Sequence, residues 1–326
     1  MSSRDQGGRR GPQQPPLPKP YDFVPLPAGY PRRQPPAGHH RYQPGRLSGQ
    51  LTAVLVARSP VHVASGNLEP TPQNREYPLV KAMFRVGGVP AIPATSLKGC
   101  VRSIAEAITR SAVQVTRSRE LDRAYQPSRR PAQDGVDVAQ NMFGTLGYQG
   151  LIRIADAPLI EGRMITVPTP QLFRPRSESV DTYFEGRQAR GRKFYMHGKL
   201  AKGNLPLEAC GAGSTFGLRL DFENLTPGEV GILLLALGLG EPRWWPKLGG
   251  GKPACLGTIE VTEPQLIAYE PQAAYHGLDL PTTPVDLAPL LDAARSEKLL
   301  LDEPTQKLAT ILRWPNDERD CPDRNY

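Results

Sequence analysis

The chain has 326 residues, of which 39% are hydrophobic, and carries a formal net charge of +8 with a pI of about 9.4. This length allows a sizeable core in one large or two small domains, and the basic excess favours a polyanionic partner. Cys100, Cys210, Cys255 and Cys321 are too far apart to form a CxxC ligand pair, so the sequence predicts neither a structural zinc site nor a disulfide framework. The N-terminus has no apolar leader, and the longest apolar run, 232–239, is too short to span a bilayer. We therefore expect a cytoplasmic protein with no membrane partner.

The first 45 residues differ in composition from the rest of the chain. They hold eleven of the 36 prolines, interleaved with Gly, Gln and Arg. Such a composition buries too little apolar surface to order itself, so we expect residues 1–45 to be a long flexible or partner-docked N-terminal arm. The exception is an aromatic and apolar stretch at residues 21–27, which suits docking onto a neighbour or onto the protein's own core.

The chain then enters a predicted strand and a predicted helix. Residues 51–57 form an apolar run rich in β-branched side chains, which indicates a buried strand. A long loop over residues 59–93 follows. Thr95 and Ser96 offer a helix N-cap, after which apolar residues recur with helical spacing.

Two further strands and a second helix follow. One strand is predicted over residues 150–156 and another over 214–222, with an irregular insertion at 160–212 between them. Thr226 as N-cap and Glu229 three residues later form a capping-box start for the second helix.

A last strand is predicted over residues 255–261. The resulting order, β-α-β-β-α-β, is that of α+β folds of the ferredoxin-like, RNA-recognition type. We expect this core to occupy residues 46–270, including the insertion. Residues 271–326 form a C-terminal extension whose apolar clusters indicate helical or docking segments.

A lysine-flanked glycine loop separates the second helix from the last strand. Its glycines, Gly249, Gly250 and Gly251, let backbone N–H groups approach a phosphate without Cβ interference, and Lys247 and Lys252 add charge at both ends. A Walker loop runs from strand to helix and ends in Gly-Lys-Ser/Thr, so a nucleoside-triphosphate site is disfavoured. The pattern indicates either contact with a phosphate backbone or a plain helix-to-strand turn.

The first helix carries a second candidate site. The free N–H groups of a helix N-terminus at Ser96 attract an anion, and Lys98 and Arg102 lie one turn apart on the same face. Both cations are therefore placed to meet one phosphate backbone. The alternative is an ordinary capped helix with a solvated basic face.

A third candidate site lies inside the insertion. Arg192, Lys193, Tyr195 and His197 interleave basic and aromatic residues, which suits phosphate pairing together with base stacking. An exposed charged loop anchored by its aromatic residues is the alternative.

Candidate catalytic groups lie after the first strand. Glu69 and Glu76, near His62, could support general acid–base chemistry on RNA. Surface carboxylates on a loop are the alternative, and no Ser-His-Asp or Cys-His arrangement is evident.

Four stretches in this order resemble motifs of the RAMP superfamily, the RNA-binding backbone subunits of CRISPR effector complexes. They are Ser59-Pro-Val-His-Val-Ala-Ser-Gly66, Ile92-Pro-Ala-Thr-Ser-Leu-Lys-Gly99, Phe143-Gly144 with the strand after it, and Leu248-Gly-Gly-Gly-Lys-Pro-Ala-Cys-Leu-Gly257. Two more segments are similar to the type III-D subgroup: Tyr21-Asp-Phe-Val-Pro-Leu26 and Gly191-Arg-Lys-Phe-Tyr-Met-His197. The resemblance covers roughly residues 20–265.

The resemblance implies a modified RNA-recognition-type core. Copies of the chain, or related CRISPR-associated subunits, would stack as a filament along a CRISPR guide RNA (crRNA) that pairs with target RNA. A thumb-like hairpin within residues 160–200 would kink the guide. Lys98, Arg102, the three loop glycines and Lys252 would contact the guide backbone.

The resemblance also bears on catalysis. In family members that cut target RNA, a catalytic Asp lies in the loop after the first strand, two residues before a proline. Here the proline is Pro78 and the matching residue is Glu76. Its carboxylate reaches about 1.5 Å further than that of an Asp, which disfavours cleavage because in-line attack needs close alignment. No structural cofactor is implied, Mg²⁺ or another divalent ion would be needed only for target cleavage, and the cysteine-bound zinc of some members has no counterpart.

Three functions follow from these observations. The first is a binding and scaffolding subunit that holds guide RNA beside target RNA. The second is a metal-dependent endoribonuclease that acts through Glu76. The third is a processing enzyme that cleaves the guide precursor, for which His62 and His197 are the available histidines.

Overall fold

The computed structural model describes residues 18–114, 121–172, 182–186, 188–274, 276–277 and 280–324. The strands are β1 (Tyr21–Val24), β2 (Leu47–Ala57), β3 (Ala64–Pro70), β4 (Leu79–Met83), β5 (Arg85–Val86), β6 (Val89–Ile92), β7 (Ile152–Ile154), β8 (Ala157–Glu161), β9 (Met164–Thr169), β10 (Phe184–Glu185), β11 (Gln188–Ala189), β12 (Arg192–Tyr195), β13 (Leu205–Cys210), β14 (Thr215–Leu225), β15 (Ile259–Tyr269) and β16 (Thr282–Pro284). The helices are α1 (Ala94–Ile108), α2 (Pro131–Asp134), α3 (Val138–Phe143), α4 (Pro227–Ala236), α5 (Pro271–Ala274), α6 (Ala288–Ser296) and α7 (Asp302–Ile311). Across the described ranges, every helix is too short or too polar to cross a lipid bilayer.

One large antiparallel sheet organises this mixed α/β fold. Its strands lie in the order β16-β15-β2-β14-β8-β6-β5, and β7 also pairs with β14. Strand β14 shows why the sheet forms here, because Phe216, Leu218, Leu220 and Phe222 alternate along it and are all buried. Alternate residues of a strand share one face, so these four side chains face the core together. The strand predicted at residues 51–57 lies within β2, the one predicted at 150–156 contains the shorter β7, and the one predicted at 214–222 overlaps β14.

The helices cover the core. Helix α1 packs against α3, α4 and α7, while α4 packs against α6. The predicted capping box of α4 is confirmed, since Thr226 and Glu229 exchange side-chain to backbone hydrogen bonds of 3.1 and 2.9 Å. A Cβ on Gly231 would lie 2.0 Å from the Leu290 carbonyl oxygen, so α4 and α6 approach each other as closely as only glycine allows.

Much of the N-terminal segment is docked on the protein itself. Strand β1 pairs antiparallel with β12, Gln34 pairs with Val136, and both Val24 and Ala37 are buried. Residues 18–45 thus differ from the expectation of a flexible arm, because Val24 and Ala37 belong to the main core cluster. Residues 1–17 lie outside the described residues.

Two strands between β8 and β14 form a sheet with two strands from residues 59–93, the segment predicted to be a long loop. A four-stranded sheet has the order β3-β4-β13-β9, in which β13 pairs antiparallel with β9 and parallel with β4. The irregular sequence gave no clear period for these short strands, and the pairing of Leu207 in β13 with Lys81 in β4 joins residues 126 positions apart. Of the predicted insertion, residues 173–181 and 187 lie outside the described part.

The structure joins Cys255 and Cys321 in a disulfide, with their Cα atoms 5.9 Å apart. The cysteine spacing predicted no disulfide framework, and this one bridge corrects that expectation for two of the four cysteines. The pair is separated by 66 residues, so only the tertiary fold brings the thiols together. The bridge ties the C-terminal segment to the chain directly after the glycine loop.

Candidate functional site

A cavity of about 340 Å³ lies where three segments far apart in sequence meet. The segments are the first turns of α1, strand β12 and the glycine loop at residues 247–252, and we call the space between them the glycine-loop cavity. Six residues predicted to contact RNA line it: Ser96, Lys193, Tyr195, Lys247, Gly249 and Lys252. The structure therefore places parts of all three sequence-derived candidate sites at one location.

The start of α1 forms one wall. The helix begins at Ala94, whose N–H donates to the Asp156 carboxylate at 2.6 Å, and Pro93 is the N-cap residue. The predicted cap at Thr95 and Ser96 is therefore wrong, because Asp156 supplies the acceptor from a distant segment. Thr95 and Ser96 lie in the first turn instead and line the cavity.

The glycine loop forms the opposite wall. Gly249 has φ +83°, and a Cβ there would lie 2.3 Å from the His62 carbonyl oxygen. The Gly250 N–H donates to that same carbonyl at 2.8 Å. Glycine is thus required at position 249 by close packing, whereas the Gly250 N–H is used inside the protein and does not face a phosphate.

The loop ends in a short 3-10 turn, Lys252–Ala254. Gly251 and Cys255 flank this turn, and both have φ of +68°. The last strand consequently begins at Ile259, four residues later than predicted, because left-handed backbone at Cys255 is incompatible with a strand.

The side chain of Lys247, the first residue of the glycine loop, is buried. Its Nζ donates to the Met196 carbonyl oxygen at 2.8 Å, and the side chain reaches the cavity. Burial lowers the pKa of this amine to about 7, with further contributions from the positive charges of Arg319 and Lys252. An amine of this kind gains charge readily when an anion approaches.

Neither histidine considered for catalysis is available to a substrate. The Nε2 atom of His197 lies 2.9 Å from the Trp245 carbonyl, so it carries the hydrogen, and Nδ1 lies 2.8 Å from the Thr258 hydroxyl. Burial lowers the pKa of His197 to about 3. His62 is also buried, and its Nδ1 lies 2.6 Å from the Glu208 carbonyl. Both residues brace the fold, which removes the basis for guide processing by either one and for RNA contact by His197.

The two cations of α1 bind protein groups. The Lys98 Nζ donates to the Ile152 carbonyl at 3.1 Å, and Arg102 binds Glu106 at 2.6 Å and Gln114 at 3.0 Å. Burial lowers the pKa of Arg102 to about 10. This placement differs from the prediction that both side chains meet one phosphate backbone, because Lys98 is bonded to a carbonyl of β7 and Arg102 to Glu106 in the same helix and to Gln114.

Arg192 is likewise an internal residue. Its guanidinium forms an ion pair with Glu106, a residue that also binds Arg102, and donates to the Ala112 carbonyl at 3.3 Å. Burial, followed by the charge of Arg102, lowers the pKa of Arg192 to about 9. Arg192 therefore fixes β12 against α1 and is not among the residues that line the cavity.

Lys193 and Tyr195, by contrast, reach the cavity. The Lys193 Nζ lies 4.5 Å from the ring centre of Tyr21, 4.8 Å from that of Tyr195 and 5.2 Å from that of Tyr183, and it donates to the Tyr183 hydroxyl at 3.0 Å. These cation–π contacts join β1 to β12. Residues 21–27 thus dock onto the protein's own core, one of the two partners predicted for them.

Glu76 lies apart from the cavity, in the loop between β3 and β4. The loop is closed by a 2.8 Å hydrogen bond from the Thr71 N–H to the Pro78 carbonyl, and the exposed Glu76 side chain accepts a hydrogen bond from Tyr77. Over the described ranges, no cluster of three or more His, Cys, Asp or Glu side chains is placed to hold a metal ion. Glu76 on its own does not make a complete ligand set for Mg²⁺.

Several residues that line the cavity were missed in the sequence. Gly99 and Ser103 follow Ser96 at helical spacing and lie on the same face, so the periodicity of small residues was an available signal. Phe194 lies between the predicted residues Lys193 and Tyr195 and also lines the cavity. Leu312 belongs to one of the C-terminal apolar clusters that indicated helical or docking segments, but no local pattern links it to Ser96, more than 200 residues away.

The structure is a mixed α/β fold with a cavity lined by lysines and by apolar side chains. A sequence model of the RAMP superfamily matches residues 54–259, and the chain belongs to this superfamily. No curated protein matches the chain. Among solved structures, it is similar to a chain in the cryo-EM structure of the Type III-B Cmr-beta bound to cognate target RNA, with 12% sequence identity and a TM-score of 0.36. That similarity covers 68% of this chain and 61% of the other.

Proposed function

We propose that the chain is a guide-RNA-binding backbone subunit of a cytoplasmic, type III-like CRISPR effector complex, where it holds the guide for pairing with target RNA. The observation that carries the RNA-binding part is the meeting of Ser96, Lys193 and Lys252 at one cavity. Two ammonium groups and a helix N-terminus at one cavity suit an anionic, flexible ligand. Membership of the RAMP superfamily and the motif resemblance support the CRISPR part.

We infer that the core is ferredoxin-like. Strands β15, β2, β14 and β7 are neighbours in that order and pair antiparallel, with α1 between β2 and β7 in sequence and α4 between β14 and β15. In sequence order these are the fourth, first, third and second core strands, which supports a ferredoxin-like arrangement. The thumb-like insertion would then lie in the segment between β8 and β14, which contains strands β9 to β13. Pairing of β1 with β12 joins the two segments that resemble the type III-D subgroup, and copies or related subunits would extend the filament.

RNA binding is tested by fluorescence anisotropy with the purified full chain and single-stranded RNA over a range of salt concentrations. We expect tight binding that weakens as salt rises, and Lys252→Ala should lower the slope of log affinity against log salt by about 0.7. Arg129→Ala is the matched control, since Arg129 is exposed and is not among the residues that line the cavity. Absence of salt-sensitive binding, or equal effects of the two variants, would overturn the proposal.

The alternative is a metal-dependent endoribonuclease that cuts target RNA through Glu76. Its support is a carboxylate on an exposed loop, at the position where cutting members of the family carry an Asp. Incubation of assembled complex with labelled complementary RNA and Mg²⁺ separates the two functions. Regularly spaced cuts that disappear in Glu76→Ala would establish the nuclease, whereas intact RNA would leave the binding function alone.

A further inference from the structure

The glycine-loop cavity has two chemically different parts. Val63, Ile104, Leu248 and Leu312 are buried and form an apolar floor, and the ring of Phe194 adds an aromatic surface. Positive charge and hydroxyl groups come from the α1 start, β12 and the end of the loop. A phosphate alone would gain nothing from the apolar floor, so the lining points to a ligand with both an anionic and an apolar part.

The size of the cavity limits that ligand. Its volume of about 340 Å³ lies at the lower end of small-molecule sites, which span about 300–1,000 Å³. A single nucleotide is a ligand of this scale, whereas a run of stacked bases or a duplex is not. Its flat base suits the floor and the Phe194 ring, and its phosphate suits the cations.

We propose that the cavity holds one unstacked nucleotide of the bound single-stranded RNA, with the base inside against Phe194 and the phosphate at Lys252 and Ser96. This inference rests on the proposed RNA-binding function and adds a base-binding site to it. Contact with Phe194 replaces the stacking that the base loses along the strand. Lys247, held under the loop beside the cavity, adds positive charge when the phosphate is present.

Gly99 offers a way to close the cavity without disturbing the fold. It lies in α1, is exposed, lines the cavity, and has open space of at least 4 Å around the position of a Cβ. Leucine at this position would project into the cavity and would also favour the helix relative to glycine. Alanine would favour the helix equally well while filling almost none of the space.

The test compares Gly99→Leu with Gly99→Ala in the full-length chain. RNA that contains 5-iodouridine is irradiated in the complex, and cross-linked peptides are mapped by mass spectrometry. We expect cross-links at Phe194 or Tyr195 in the wild type and in Gly99→Ala, and loss of these cross-links in Gly99→Leu. Thermal unfolding checks that both variants are at least as stable as the wild type.

Affinity gives a second readout. Loss of one base–aromatic contact should weaken RNA binding by about fivefold or more in Gly99→Leu, without changing the salt slope, because no phosphate contact is removed. Unchanged cross-links in Gly99→Leu, or a loss of affinity accompanied by a smaller salt slope, would overturn this inference while leaving the proposed function intact. No salt-sensitive RNA binding by the wild type would overturn both.

Discussion

The side chain of Lys247 is deeply buried, and this burial disfavours the charged form of its amine. Only 6% of the residue is exposed, and among the described residues no ion pair joins it to a carboxylate. Burial lowers its pKa from the ordinary value of 10.5 to about 7. Each pKa unit corresponds to about 1.4 kcal/mol, so charging this amine costs about 4–5 kcal/mol more in the folded chain than in the unfolded chain.

The sign of the pH dependence follows from these two values. Between pH 7 and 10.5 the unfolded chain binds more protons at Lys247 than the folded chain does. The contribution of Lys247 to the free energy of unfolding therefore rises with pH through this window. Above pH 10.5 this contribution no longer changes. Below pH 7 the amine is charged in both the folded and the unfolded chain, so the folded chain bears the full cost of burying this charge.

Replacement of this lysine by methionine removes the charge and keeps a chain of similar length. At pH 7 we expect Lys247→Met to raise the free energy of unfolding by about 3 kcal/mol, after allowing about 1–1.5 kcal/mol for the lost hydrogen bond to Met196. The gain should shrink by about 2 kcal/mol at pH 9, where the folded-state amine is already neutral.

Urea denaturation followed by circular dichroism at pH 7 and pH 9 measures both values. Lys202→Met serves as the control, since Lys202 is exposed and its replacement should change stability little at either pH. The same Lys247→Met variant should bind RNA more weakly than the wild type despite its greater stability. A variant that is less stable than the wild type at pH 7, or a gain that is equal at both pH values, would refute the reasoning.

Two further predictions concern the disulfide and the glycine loop. Cys321→Ser should lower the free energy of unfolding by about 4 kcal/mol under oxidising conditions, because the bridge closes a 66-residue loop, and the variant should not respond to reductant. Denaturation curves with and without dithiothreitol measure this, and a wild type that is indifferent to reductant would count against the bridge. Gly249→Ala should be less stable than Gly250→Ala by about 1–3 kcal/mol, since only position 249 combines a positive φ with a Cβ 2.3 Å from the His62 carbonyl oxygen. Equal free energies of unfolding for the two variants would contradict this prediction, because the loop would then accommodate a Cβ at position 249 without loss of stability.

Local patterns predicted the main elements well. The alternation in β14 and the capping box at Thr226 specify their elements through neighbouring residues alone, and both are present in the structure. The predicted start of α1 at Ser96 lies two residues after the observed start at Ala94, and the cap was not predicted. Asp156, the residue that actually accepts from the first N–H group, lies 62 residues away, and no local pattern indicates it.

The candidate site was predicted only in part for the same reason. The sequence pointed to three basic segments, and the structure brings part of each to one cavity. The sequence could not show which of the basic side chains face that cavity. Lys252 and Lys193 line it, whereas Arg102 and Arg192 share the carboxylate of Glu106 inside the protein.

By itself, the sequence indicated strands β2 and β14, helices α1 and α4, the glycine loop and the basic character of the chain, because these depend on residue type and short-range spacing. The tertiary structure decided that Cys255 and Cys321 pair, that His197 is a buried brace, and that Gly99 and Leu312 line one cavity. Burial and hydrogen-bond partners set the charge, the reactivity and the accessibility of a side chain. For these residues the partners come from segments tens to hundreds of positions away, so only the folded chain determines what each one does.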